Sequence, residues 1–178
     1  MYEINNLIAL EKELRKTMRT EYVNFFSAHD YTKESKLVTS REVRSLDDAD
    51  AIYYGTGLYV IMSDYRLEVN KCSMTIDGLK AIYRGHCYTV KNRLKSHLFN
   101  DNYRSYLSEK EVRYDVCMKL DDKNGINICD EPYSDYRWMV VTHKMKGSSK
   151  IMREQAEIAF DEVFGRPLGS REAGRLDV

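Results

Sequence analysis

Three separated runs of β-forming residues, each bounded by turn residues, most limit what this chain can become. Gly57–Ser63 reads Gly-Leu-Tyr-Val-Ile-Met-Ser, a strand opening on a glycine. Leu79–Cys87 is a second strand, and the preceding Asp77-Gly78 turn fixes its start. Residues 136–145 are the third, carrying Trp138, Val140 and Val141. Helical periods lie between and around them. Residues 4–26 place Leu7, Leu10, Leu14, Met18, Tyr22 and Phe25 at three- and four-residue steps. Residues 90–99 carry the stripe Val90, Leu94, Leu98 behind Thr89 as N-cap. Residues 149–164 form a last helix, which Gly165 stops and Pro167 cannot extend. The expected fold is α+β: a small, mainly antiparallel sheet of about three core strands, flanked by helices, with an N-terminal helical arm.

The polar stretches divide the chain. Residues 1–50 read as the helical arm plus a connector over 32–50, with Ser40 as N-cap of a short helix at 41–46. Residues 51–170 read as the main domain, with insertions at 64–78 and 100–135 and a short β-like piece at 73–76. Residues 171–178 form a tail. Within the second insertion, 113–120 is a candidate strand and Lys123-Asn124-Gly125 a turn. No internal repeat is visible.

Composition removes several classes. With 43% apolar residues the 178-residue chain is no disordered tail, and 9 Gly with 2 Pro exclude collagen-like sequence. No run is long and apolar enough for a membrane span, and the N-terminus lacks a signal-peptide pattern. Cys72, Cys87, Cys117 and Cys129 never form Cys-x-x-Cys, which predicts free thiols in a reducing, cytoplasmic setting. The formal charge is zero, 28 basic against 28 acidic residues. That total hides two windows without acids. Residues 78–99 hold Lys80, Arg84, Lys91, Arg93 and Lys95 with His86 and His97. Residues 136–153 hold Arg137, Lys144, Lys146, Lys150 and Arg153. Each window contains a strand, so together they predict one anion-attracting face.

The helix at 90–99 puts Arg93 and His97 four residues apart, pointing the same way beside the apolar stripe, at the edge of a groove. Tyr83 lies ten residues before Arg93, with Gly85 after it to free the backbone for a turn into the helix. Tyr59 holds the matching place in the first strand. If the strands pair, two tyrosines, an arginine and a histidine converge.

These residues resemble the GIY-YIG endonuclease superfamily. Gly57-Leu58-Tyr59, then Tyr83-Arg84-Gly85, then Arg93 and His97 follow its order, and 83–97 match its spacing without a gap. The likeness extends over about 55–170, including a later strand and a helix bearing an acid before Pro167. Among its members the chain looks most like the small type II restriction endonucleases. There are departures. The tripeptides stand 23 residues apart, Arg84 replaces the usual Ile, and Ser170 stands where Asn is common.

The resemblance implies hydrolysis of phosphodiester bonds in double-stranded DNA. It implies one Mg²⁺ or Mn²⁺ per site on Glu157, with Glu154 as the rival ligand, because a carboxylate with water suits a hard cation. Arg93 would pair with the scissile phosphate. Tyr59 or Tyr83 would orient or deprotonate the water, the latter only if nearby cations lower its pKa. His97 or His86 would take a proton or hold phosphate. Arg84, His86, Lys91, Lys95, Arg104, Lys144 and Lys146 are the expected DNA contacts. A double-strand cut at a symmetric site implies a homodimer. Two other readings remain open: a nucleic-acid-binding module on the same fold that does not cut, and a structure-specific repair or phage nuclease.

Overall fold

The computed structural model describes residues 3–33, 35–100 and 118–172. Its elements are α1 (Ile4–Ala28), β1 (Val38–Glu42), α2 (Leu46–Asp50), β2 (Gly57–Ser63), β3 (Thr75–Ile76), β4 (Leu79–Cys87), α3 (Val90–Leu98), β5 (Lys119–Leu120), β6 (Lys123–Asn124), β7 (Trp138–Lys144) and α4 (Lys150–Phe164). A 3₁₀ turn spans Tyr133–Asp135. Five strands form one sheet in the order β1-β7-β2-β4-β3, and every pairing is antiparallel. The β5–β6 hairpin stands apart. Its Asp121 and Asp122 take positive φ of 50° and 62°, as a two-residue hairpin turn requires.

The sheet is therefore larger than three core strands. The fourth full-length strand, β1, lies in the stretch read as a connector, paired with β7 from Val38↔His143 to Glu42↔Met139. Val-Thr-Ser-Arg-Glu has no strong alternation, since β1 is an edge strand and only Val38 is buried. Ser40 sits inside this strand and caps nothing. The short helix begins later, at Leu46, behind Ser45. The Ser45 hydroxyl accepts from the Asp48 N–H, and the Asp48 carboxylate accepts from the Ser45 N–H at 2.9 Å. An acid three residues after the serine completes a capping box at 45; position 43 is Val, so Ser40 has no such partner.

β2 is buried along its whole length because both sheet faces are covered. On one face Tyr59 and Ile61 pack with Val90, Leu94 and Leu98 of α3. On the other, Leu58, Val60 and Met62 pack with Phe26 of α1 and Ala156, Ala159 and Phe160 of α4. Each fully buried Phe here stabilises by about 1.5–3 kcal/mol. A register shift between Ile61 and Met62 makes Ile82 the extra residue of β4, leaving Ile82 and Tyr83 both on the α3 side. The apolar stripe of α1 is only half used. Tyr22, Val23 and Phe26 reach the core, while Ile4, Leu7, Ile8, Leu10 and Leu14 are exposed. Among the described residues no helix is long and apolar enough to cross a membrane.

His143 lies under α1, ringed by Phe25, Phe26 and Tyr31 with centroids 5.3–5.9 Å away. Burial, aided by neighbouring His29, pushes its pKa down from 6.5 to about 3. The unfolded chain then binds more protons than the folded chain below pH 6.5. Stability is full above that value and falls as pH drops toward 3. About 2 kcal/mol is lost to this one group between pH 6.5 and 5. Urea unfolding of wild type and His143→Gln across that range checks it: the variant is expected to show a shallower pH slope, and equal slopes would refute the assignment.

Candidate functional site

The site grows from the pairing Tyr59↔Gly85 and Ile61↔Tyr83 between β2 and β4. Directly opposed residues share a face, so both tyrosine rings rise toward α3, their centroids 6.2 Å apart. Gly85 makes the room. A Cβ there would sit 2.8 Å from Tyr59 Oη and 3.1 Å from the Tyr83 ring. Gly85 lies within β4, so its use is space for two rings and not a backbone turn. Gly57 allows a similar approach, with the β7 carbonyl of His143 2.4 Å from its missing Cβ.

α3 brings Arg93 and His97 to the tyrosines. His97 Nε2 lies 2.8 Å from Tyr59 Oη, and its ring centroid is 4.6 Å from that of Tyr83. The Met118 N–H donates to His97 Nδ1 at 2.9 Å. Nδ1 is thus an acceptor, and Nε2 carries the hydrogen and donates to Tyr59. Burial, with the Arg93 charge beside it, holds the ring neutral, its pKa well below 6.5. The expectation of a groove-edge His97 is corrected: it is fully buried. The segment around 118–128 covers it, donating from Met118 to the ring and from Ile126 to the His97 carbonyl.

A short hydrogen-bonded run results, from the Met118 N–H through His97 to Tyr59. The Tyr83 ring packs beside Tyr59, and the Arg93 charge lies close enough to act on both phenols. Tyr59 is 1% exposed, whereas Tyr83 is partly exposed. Tyr83 is therefore the solvent-reaching tyrosine. Both phenols are pushed up by burial, more than Arg93 pulls them down. The idea that local cations lower them does not hold, because desolvation outweighs one guanidinium and the other is spent elsewhere.

That other is Arg84. Successive residues of a strand face opposite ways, so Arg84 and His86 point to α4. Arg84 is 3% exposed. Its Nη1 donates to Glu157 Oε1 at 2.7 Å, and Nε and Nη2 form a fork on Asp161 at 3.0 and 2.6 Å. Its backbone N–H donates to Ser170 Oγ at 2.9 Å. Burial raises Glu157 to about 7 despite Arg84, whose charge is matched chiefly by Asp161. Glu157 and Tyr83 meet around the β4 edge, close enough for the Glu157 charge to raise Tyr83. Glu154 pairs with Lys150 at 3.3 Å and Arg15 at 3.8 Å, while its charge still reaches His86 and Glu157. Of the two rival acids, Glu157 is the one whose charge acts on Tyr83.

His86 Nε2 lies 3.8 Å from Glu157 Oε2. Burial lowers its pKa to about 4, and the nearby Arg153 charge assists, so the ring is neutral. Lys91 and Lys95 gather on Asp50, the latter at 2.6 Å. Lys144 lies 5.7 Å over the Tyr53 ring, and Lys146 is exposed. Arg104 lies outside the described residues. From the second basic window Arg153 is buried, stacked 4.2 Å over Tyr88. Asp161 is the member that sequence reasoning missed. Its spacing of four from Glu157 on one helix was the available signal.

Among the described residues no three His, Cys, Asp or Glu side chains converge as a metal cage. Glu157 Oε2 is not the oxygen that Arg84 takes, and one carboxylate oxygen completed by waters suits a hard divalent ion. Glu157 Oε2 is the single protein oxygen here, among the described residues, that a hard cation would take. Comparison of the chain with models of known families, with curated proteins and with solved structures found no match.

Proposed function

We propose that the chain is a metal-dependent endonuclease that hydrolyses phosphodiester bonds in double-stranded DNA, as a sequence-specific type II restriction enzyme does. The observation that carries this reading is the packing of Tyr59, Tyr83 and His97 together, with the charges of Arg93 and Glu157 close enough to act on Tyr83. The GIY-YIG likeness of 57–59, 83–85, 93 and 97 supports it. Arg93 offsets charge on the pentavalent phosphorane. Tyr83, its ring packed against Tyr59 and His97, orients the attacking water by a hydrogen bond. With both phenols raised, neutral His86 is the base beside Glu157 that takes the water's proton. Glu157 would hold a Mg²⁺ or Mn²⁺ ion, which would supply Lewis-acid stabilisation of the phosphate. Incubation with supercoiled plasmids of varied sequence and Mg²⁺ is the test. Discrete fragments are expected; intact plasmid throughout would sink the reading. Retention of DNA without cleavage would favour the binding-module alternative, which the Arg84–Glu157 ion pair supports.

We infer a homodimer formed through α1. Its exposed Ile4, Leu7, Ile8, Leu10 and Leu14 lie on a segment whose Glu3, Glu11 and Glu13 balance Lys12, Arg15 and Lys16, so a second copy meets no net repulsion. Two such stripes bury on the order of 1,000 Å², the lower range for a specific interface. Light scattering is expected to show a dimer at tens of micromolar that Leu10→Glu with Leu14→Glu converts to a 20.9 kDa monomer. A monomeric wild type would refute the dimer.

A further inference from the structure

We propose that Arg84 is an internal competitor for the divalent cation, its guanidinium taking one oxygen of the Glu157 carboxylate so that the ion binds weakly through the other. This rests on the reading of Glu157 as the metal-holding carboxylate. Arg84 is clamped in place. The Asp161 fork holds Nε and Nη2, and Nη2 also donates to the Arg171 carbonyl at 2.8 Å. The remaining nitrogen, Nη1, is thereby aimed at Glu157 Oε1 at 2.7 Å. A guanidinium cannot shed its charge to make way for an ion. A divalent cation on Oε2 would stand within a few ångströms of this fixed positive charge, in a place where burial limits screening.

Asp161 matches much of the Arg84 charge, so the competition is for the Glu157 carboxylate itself. His86 is neutral, and Glu154 is matched by Lys150 and Arg15. The ion-paired set is two carboxylates, Glu157 and Asp161, against one guanidinium, with Arg153 acting on His86 and Glu154 on both His86 and Glu157 from nearby. That balance permits a clean test. Replacing Arg84 and Asp161 together by apolar residues removes one charge of each sign. Net charge stays the same while the competitor disappears.

The experiment measures Mn²⁺ binding to the full chain without DNA, by electron paramagnetic resonance of the free ion. Wild type is expected to bind weakly and Glu157→Gln to lose the site. Arg84→Met with Asp161→Leu is expected to bind at least tenfold more tightly. A buried ion pair exchanged for apolar side chains of similar volume is well tolerated, so this variant should fold. Arg84→Gln, which can still hydrogen-bond both acids, is a second variant expected to tighten binding. No tightening in the folded variants, or Mn²⁺ binding undiminished by Glu157→Gln, overturns the proposal. Plasmid cleavage, assayed separately, keeps the two readings apart. Tighter Mn²⁺ binding with no cutting by any form upholds the competitor and overturns the nuclease. Cutting by wild type with no tightening does the reverse.

Discussion

Arg93→Ala is expected to slow plasmid cleavage by about 100- to 1,000-fold while equilibrium DNA affinity changes only a few-fold, the scale seen when one donor to developing charge is removed. The reason lies in its position. The Arg93 charge acts on both phenols, so it sits where the phosphate would meet Tyr83. Its absence removes charge stabilisation at that point. Arg93→Lys keeps the charge without the planar fork and should fall between the two. Single-turnover cleavage and a binding titration at several salt concentrations separate the effects. The binding slope should fall by about one phosphate contact. An equal loss in binding and cleavage would make Arg93 a DNA contact only.

Arg84→Ala is expected to destabilise the fold by about 3–5 kcal/mol at neutral pH, the cost of leaving buried acids without their cation. The arginine side chain is 3% exposed, and those of Glu157 and Asp161 are 15% and 19% exposed. Solvent therefore does little to replace the lost partner. Urea unfolding monitored by circular dichroism gives the number. Arg84→Met with Asp161→Leu should recover most of it, because the second orphaned charge goes too. A loss below about 1 kcal/mol for Arg84→Ala would show that the pair contributes as little as an exposed one.

Much of the framework was legible from local pattern. The bounds of β2 and β4 follow from β-forming residues closed off by glycine and by the Asp77-Gly78 turn, which adopts φ of 50° and 81°. α4 starts behind Ser149, whose hydroxyl accepts from the Met152 N–H, and ends at Gly165 with φ 77°. The β1 edge strand was not legible. Its polar residues acquire strand form from the β7 partner rather than from their own alternation. Likewise the stripe of α1 looks uniform in sequence, yet only its C-terminal half meets α4 and the sheet.

The site divides in the same way. The spacing of Tyr59, Tyr83, Arg93 and His97 determined that strand pairing would gather them, since helix and strand periods are set residue by residue. Protonation and partnership were decided by the tertiary structure. Burial makes His86 and His97 neutral and raises the tyrosines, and burial is a property of what packs above a residue, not of its neighbours in the chain. The acid-free window read as an anion-attracting surface lost Arg84 to the interior, because α4 presents Asp161 and Glu157 across the sheet from it. Charge sums and windows fix how many ions the chain carries. Which of them face solvent depends on contacts between segments 73 to 77 residues apart, made only when the sheet and α4 close on each other.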